Sequence, residues 1–244
     1  MSDAAGAATP IVLVHGGGHG AWCWEPTLAL LSTPAIAVDL PPQSIRGGPG
    51  RNEFPAGMGD LQLSDWVDAV VSAADGAGFD RFVLVGHSLD GLTISGVAQR
   101  VPDRVARLVY VSALVPRQGE HGLSAMAPEM MERVGGGLTE EIVAELFCND
   151  MDATQTRFVL DHVGGDAAQV MLEPVDRLGI PAELPKTYVR LARDRALTPA
   201  AQAASIAALE AVPGGVVEVV DIDSGHNVMI SHPAELATVL SRLS

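Results

Sequence analysis

Several short runs of this chain carry their apolar residues at consecutive rather than alternate positions. Residues 11–15 read IVLVH, 35–39 AIAVD, 82–86 FVLVG and 107–112 RLVYVS, and two later runs occupy 187–191 and 216–222. A strand with one wet face alternates; a strand covered on both faces need not, and the β-branched content favours extended backbone. Helical stretches fall between these runs. One is amphipathic over 65–77, with Ser64 as its expected cap. Another opens directly after a strand at 89 and stops at 101, before Pro102. A third opens on Thr198-Pro199 and runs to about 211, and the last opens at His232-Pro233, with proline at the first helical position. Strands alternating with helices predict a mostly parallel, doubly wound α/β sheet whose crossovers cover both faces. At 244 residues, 48% hydrophobic and 18% charged, the chain is expected to form one domain around one substantial core.

One segment breaks the rhythm. Residues 116–185 hold no convincing strand but show helical patches at 128–134, 139–147 and 154–162. The expectation is a helical cap inserted over the carboxyl edge of the sheet. Met126, Met130, Met131, Phe147, Met151 and Phe158 are its candidates for an apolar pocket, against the alternative that they pack the cap onto the core. Of these, Met126 and Phe147, together with Trp22, are expected to touch substrate. The Gly- and Pro-rich loop at 47–59 is placed to rim such a pocket, and the first nine residues read as a loose tail.

Charge narrows the partners. Fifteen basic against thirty acidic residues give a net charge of −15, a field that repels nucleic acid and anionic membrane surfaces. A small-molecule substrate is the expected partner, and the chain is compatible with a homodimer. Cys23 and Cys148 make no disulfide or metal framework and read as thiols in a reducing compartment. The N-terminus has no basic region followed by an apolar run, and no stretch reaches the roughly 18 apolar residues of a membrane span, so a cytoplasmic location is expected.

The chemistry concentrates at three places. In Gly86-His87-Ser88-Leu89-Asp90-Gly91 a strand runs through a sharp turn straight into a helix, with serine at the turn. This nucleophile-elbow arrangement lifts the hydroxyl above the sheet and places a helix N-terminus beneath it, favouring developing negative charge. The Leu89 N–H is expected to be one oxyanion donor. The glycines of His15-Gly16-Gly17-Gly18-His19-Gly20 suit the second donor, assigned to Gly17. A phosphate loop fails there, because the glycine register and the following lysine are missing. His15 and His19 read as structural. Asp223-Ser224-Gly225-His226-Asn227 follows the last strand and presents His226 as general base. His87 reads as packing. Asp194, after the 187–191 strand, supplies the acid in the order Ser, Asp, His; Asp221 and Asp223 lie too close to His226 in sequence, and a surface pairing with Arg193 or Arg195 is the competing reading of Asp194.

His15-Gly-Gly-Gly-His-Gly-Ala-Trp-Cys-Trp24, Asp39-Leu-Pro, Gly86-His-Ser-Leu, Lys186-Thr-Tyr-Val with Asp194, and Gly225-His226 together resemble the α/β-hydrolase branch of plant methyl-ester esterases and hydroxynitrile lyases. The resemblance spans about residues 10–243. It implies Ser88, Asp194 and His226 as a catalytic triad, Gly17 and Leu89 as oxyanion donors, no metal or organic cofactor, and hydrolysis of a small carboxylic ester or lactone. A non-hydrolytic C–C lyase on the same scaffold, or a catalytically weakened ligand-binding protein, is the alternative. Lyases of this branch carry Thr at the position of Gly16 and Lys at that of Asn227, which disfavours cyanohydrin cleavage. Asp90 stands where the branch has glycine. An ionised carboxylate there is expected to oppose the oxyanion and favour protonated His226; the alternative is that it turns away and serves the helix terminus.

Overall fold

A computed structural model describes residues 8–41, 60–134, 137–164 and 168–244. Six parallel strands form one sheet in the order β2-β1-β3-β4-β5-β6: β1 Ile11–Val14, β2 Ala35–Val38, β3 Phe82–His87, β4 Val105–Val111, β5 Lys186–Leu191 and β6 Val217–Ile222. Each falls on one of the expected apolar runs. The order reverses between β1 and β3, the place in a doubly wound sheet where the carboxyl ends open a crevice.

The consecutive apolar residues part to opposite faces. Val12, Val14, Leu84 and Tyr110 enter a core cluster with α2 (Leu63–Gly76), α3 (Gly91–Arg100) and α7 (Pro199–Glu210). Ile11, Leu13, Val83, Val85 and Val109 enter the other, with α8 (Val228–Ser231), α9 (Pro233–Leu243) and the partly buried Leu28 of the short α1 (Glu25–Leu28). This two-sided cover explains why the strand sequences do not alternate. The first long helix starts one residue before Ser64. Its cap is Gln62, which forms a reciprocal capping box with Asp65, and Ser64 lies inside the helix.

Between β4 and β5 the described elements are helical: 3-10 turns at Gly122–Ala125 and Ala168–Leu172, and α4 (Pro128–Val134), α5 (Glu140–Phe147) and α6 (Ala153–His162). Thr139 caps α5 and Asp152 caps α6. The segment serves both faces. Met126 and Met171 pack on the α2–α3–α7 side, whereas Val143, Val159 and Leu160 are buried on the other. The 47–59 loop and residues 1–7 of the expected tail lie outside the described residues. Among the described residues no helix is long and apolar enough to cross a membrane.

Candidate active site

The site forms where β1, β3, β5 and β6 end. Ser88 has φ 53°, a left-handed conformation that a serine adopts only under constraint, and the 3-10 turn Ser88–Asp90 leads into α3. The turn is locked from behind: the Ser88 carbonyl accepts from the Leu114 N–H at 2.7 Å, and a Cβ at Gly91 would lie 2.4 Å from the Leu114 carbonyl. Position 91 is thus closed to any side chain.

Ser88, His226 and Asp194 come together. Ser88 Oγ lies 3.0 Å from His226 Nε2, and His226 Nδ1 lies 2.7 Å from Asp194 Oδ2. His226 and Asp194 are buried, so water does not compete for the bond between them. Asp194 Oδ1 accepts the backbone N–H groups of Ala196 and Leu197, both at 2.8 Å. Its Oδ2 also accepts from Ser112 Oγ at 2.6 Å. Four donors converge on one carboxylate and hold its plane. Arg193 pairs instead with Asp223 at 3.0 Å, and Asp194 is 3% exposed, so it is held inside the site and not in a surface ion pair. Ser112 was not among the residues singled out from sequence. It follows β4 directly, beside the strand that leads to Asp194, and its φ of 37° marks it as a second strained residue at the carboxyl edge.

The glycine loop after β1 abuts the nucleophile: a Cβ on Gly16 would lie 2.6 Å from Ser88 Cβ. Gly17 follows Gly16 in this loop, and Leu89 follows Ser88 in the turn. A threonine at 16 would force the loop away. His15 Nδ1 lies 2.9 Å from the Gly16 carbonyl and His19 Nδ1 2.8 Å from that of Gly17, the local bonding expected of both. Burial pushes the His19 imidazolium down to about 3 and that of His87 well below its ordinary range. His87 is more than packing: its Nε2 lies 3.0 Å from the carbonyl of His226, and the two rings are 4.6 Å apart. Neutral His87 thus donates to the backbone of the histidine it supports.

Asp90 is 1% exposed, and its Oδ1 accepts from Thr93 Oγ1 in the first turn of α3. This bond engages the carboxylate along its own helix, as in the alternative considered for it, although the donor is a side chain and not a capping backbone N–H.

The apolar candidates do not form one wall. Met126 packs with the cluster that contains Leu89; Phe147, Met151 and Phe158 pack with the opposite one; Met131 is 37% exposed. Phe147 lies against the triad, its ring stacked 5.3 Å from His226 and 5.6 Å from His19. Trp22 stacks on His19 at 5.3 Å and meets Phe158 and His162 of α6. Among the described residues its ring contacts do not include a triad member, so it stands behind His19. Cys23 and Cys148 are buried thiols whose burial raises their pKa values. Among the described residues no cluster of three or more histidine, cysteine or acidic side chains is arranged to hold a metal ion.

A family model described as the alpha/beta hydrolase family matches residues 11–239. The chain is 30% identical to the carbendazim hydrolyzing esterase of Nocardioides sp. over 247 residues, covering 95% of this chain and 98% of that one. It is 37% identical to probable esterase PIR7A of Oryza sativa over 126 residues, 50% of this chain and 45% of that one. Among solved structures, a pyrethroid hydrolase, PytH, superposes with a TM-score of 0.76 at 22% identity, covering 97% of each chain. Polyneuridine aldehyde esterase gives 0.75 at 18% identity, covering 97% of this chain and 99% of that one.

Proposed function

The chain belongs to the alpha/beta hydrolase family, and from that premise we propose that it cleaves small carboxylic esters or lactones with Ser88 as nucleophile, His226 as general base and Asp194 as the acid that orients it. The observation that carries this reading is the unbroken line from Ser88 Oγ through both nitrogens of His226 to Asp194 Oδ2. Ser88 Oγ attacks the ester carbonyl while its proton passes to His226 Nε2. The charge that develops on the carbonyl oxygen is received by the N–H groups of Gly17 and Leu89. Collapse expels the alcohol, which takes its proton from His226, and leaves an acyl-enzyme on Ser88. Water, deprotonated by His226, then releases the carboxylic acid and restores Ser88.

Substrate contacts are assigned to Phe147, which stacks beside His226, and to Met126 on the opposite side, with Trp22 backing His19. Hydrolysis is favoured over cyanohydrin cleavage because the lyase threonine does not fit at Gly16. The relatives named as esterases support the same choice. The test is covalent labelling with a fluorophosphonate probe alongside turnover of p-nitrophenyl acetate. Wild type is expected to label once per chain and Ser88→Ala not at all, with turnover reduced by about 10⁴-fold or more. A Ser88→Ala enzyme that kept a tenth of the wild-type rate would overturn the assignment.

A further inference from the structure

Asp194 and His226 stand on separate loops, one after β5 and one after β6, at the carboxyl ends of the strands. The structure fastens both loops through one turn that lies outside the triad. Asn149 and Asp150, between α5 and α6, reach each loop at the residue immediately before the triad member. Asn149 Nδ2 donates to the Arg193 carbonyl at 3.0 Å, and the Gly225 N–H donates to Asp150 Oδ2 at 2.6 Å. The same carboxylate oxygen accepts from Ser231 Oγ at 3.1 Å, lies 3.3 Å from His232 Nδ1 and lies 3.8 Å from the Arg193 guanidinium.

The Asp150 side chain is 1% exposed. A buried carboxylate makes a short, strong bond to a backbone N–H, with no water to replace it. The fit admits no side chain at 225, where a Cβ would lie 2.6 Å from both Asn149 Oδ1 and Asp150 Oδ1. The two loops are also tied to each other, since the Arg193 N–H donates to the Ser224 carbonyl at 2.9 Å and the Arg193 side chain donates to that of Asp223. The turn is anchored in its own right: Asp152 caps α6, and Gln155 Nε2 donates to the Ile230 carbonyl at 2.9 Å.

We propose that Asn149 and Asp150 are positioning residues, and that through them the segment between β4 and β5 sets the register of the Asp194–His226 pair. The inference rests on the triad reading above. Proton transfer from Ser88 tolerates little displacement of His226; an error of about 1 Å costs up to 10²-fold in rate. A clamp at residues 193 and 225 removes that freedom without touching substrate, so its loss is expected in kcat rather than KM.

The experiment compares wild type, Asp150→Ala, Asp150→Asn and Asn149→Ala by steady-state kinetics on p-nitrophenyl acetate and by the rate of Ser88 labelling with a fluorophosphonate probe. Asp150→Ala is expected to lose about 10- to 100-fold in kcat with KM within about twofold, and to label more slowly in proportion. Asp150→Asn keeps an acceptor for the Gly225 N–H and is expected to recover to within about threefold of wild type. Asn149→Ala is expected to show a smaller fall of the same kind. A residue that merely supported the fold would lower the melting temperature of both Asp150 variants and leave kcat per folded enzyme unchanged. A folded Asp150→Ala with wild-type kcat, or an Asp150→Asn as slow as Asp150→Ala, overturns the clamp. Should Asp150→Ala fail to fold, Gly225→Ala decides, because its Cβ displaces the turn without changing any charge. The same loss in kcat is expected, and wild-type kcat overturns the proposal. A wild-type enzyme that took up no probe and turned over no ester would instead sink the triad reading itself.

Discussion

Replacing Asp194 by asparagine changes one atom, and the structure determines which way that atom faces. Oδ1 sits against two backbone donors, the N–H groups of Ala196 and Leu197, both at 2.8 Å. Oδ2 sits against His226 Nδ1 at 2.7 Å and Ser112 Oγ at 2.6 Å. The backbone donors cannot rotate, so the oxygen of the new amide stays with them and its NH₂ turns to His226. The reverse orientation would leave two buried N–H groups facing NH₂, at roughly 1–3 kcal/mol each. Even at the lower bound, about 2 kcal/mol, the reversed amide is populated to only about 3%. Ser112 adapts by rotating its hydroxyl to accept. His226 is then forced to carry its proton on Nε2, where it donates to Ser88 Oγ and cannot take the Ser88 proton. Loss of the correct tautomer in an otherwise intact triad lowers kcat by about 10⁴-fold. The expected outcome is a fall of that order in kcat for p-nitrophenyl acetate, with the melting temperature close to wild type because volume and packing are kept. An Asp194→Asn enzyme within about tenfold of wild type would refute the reasoning, since the histidine would then find its tautomer without the acid.

Two further outcomes follow from buried groups near the site. Asp90→Gly removes the carboxylate that accepts from Thr93. It is expected to lower stability to urea by about 1–3 kcal/mol while kcat/KM on simple esters stays within about threefold. A tenfold rise in kcat/KM would show instead that this carboxylate opposes the oxyanion. Burial holds the His19 imidazolium down to about 3 and His87 well below its ordinary value, so both stay neutral in the folded chain. The unfolded chain binds those protons below about pH 6.5, so stability is full above that pH and falls on acidification toward the folded values, by up to about 1.4 kcal/mol per pH unit for each histidine. Urea unfolding between neutral pH and about pH 5 should therefore show a steeper fall in wild type than in His19→Gln; equal slopes would contradict the neutral, buried His19.

Much of the fold was legible without coordinates, because the reasons are local. Consecutive apolar residues at 11–14 and 82–86 demand cover on both faces, and Thr198-Pro199 announces a helix start by the chemistry of its own backbone. The elbow at Ser88 and the loop histidine at 226 were readable for the same reason, since strand, turn and helix stand next to one another in the chain. What the chain alone left open depends on contacts between distant segments. The Leu114 carbonyl, 23 positions from Gly91, closes the space beside the elbow. Ser112 meets Asp194 across 82 positions, and Asp150 meets Gly225 across 75. The methionines and aromatics of 116–185 share a composition but divide between two faces of the sheet, and composition carries no direction. Sequence determines where backbone and hydroxyl chemistry is concentrated, because that follows from neighbouring residues. Tertiary structure alone decides which buried polar atoms meet, because a hydrogen bond exists only when folding brings both partners within about 3 Å in the right orientation.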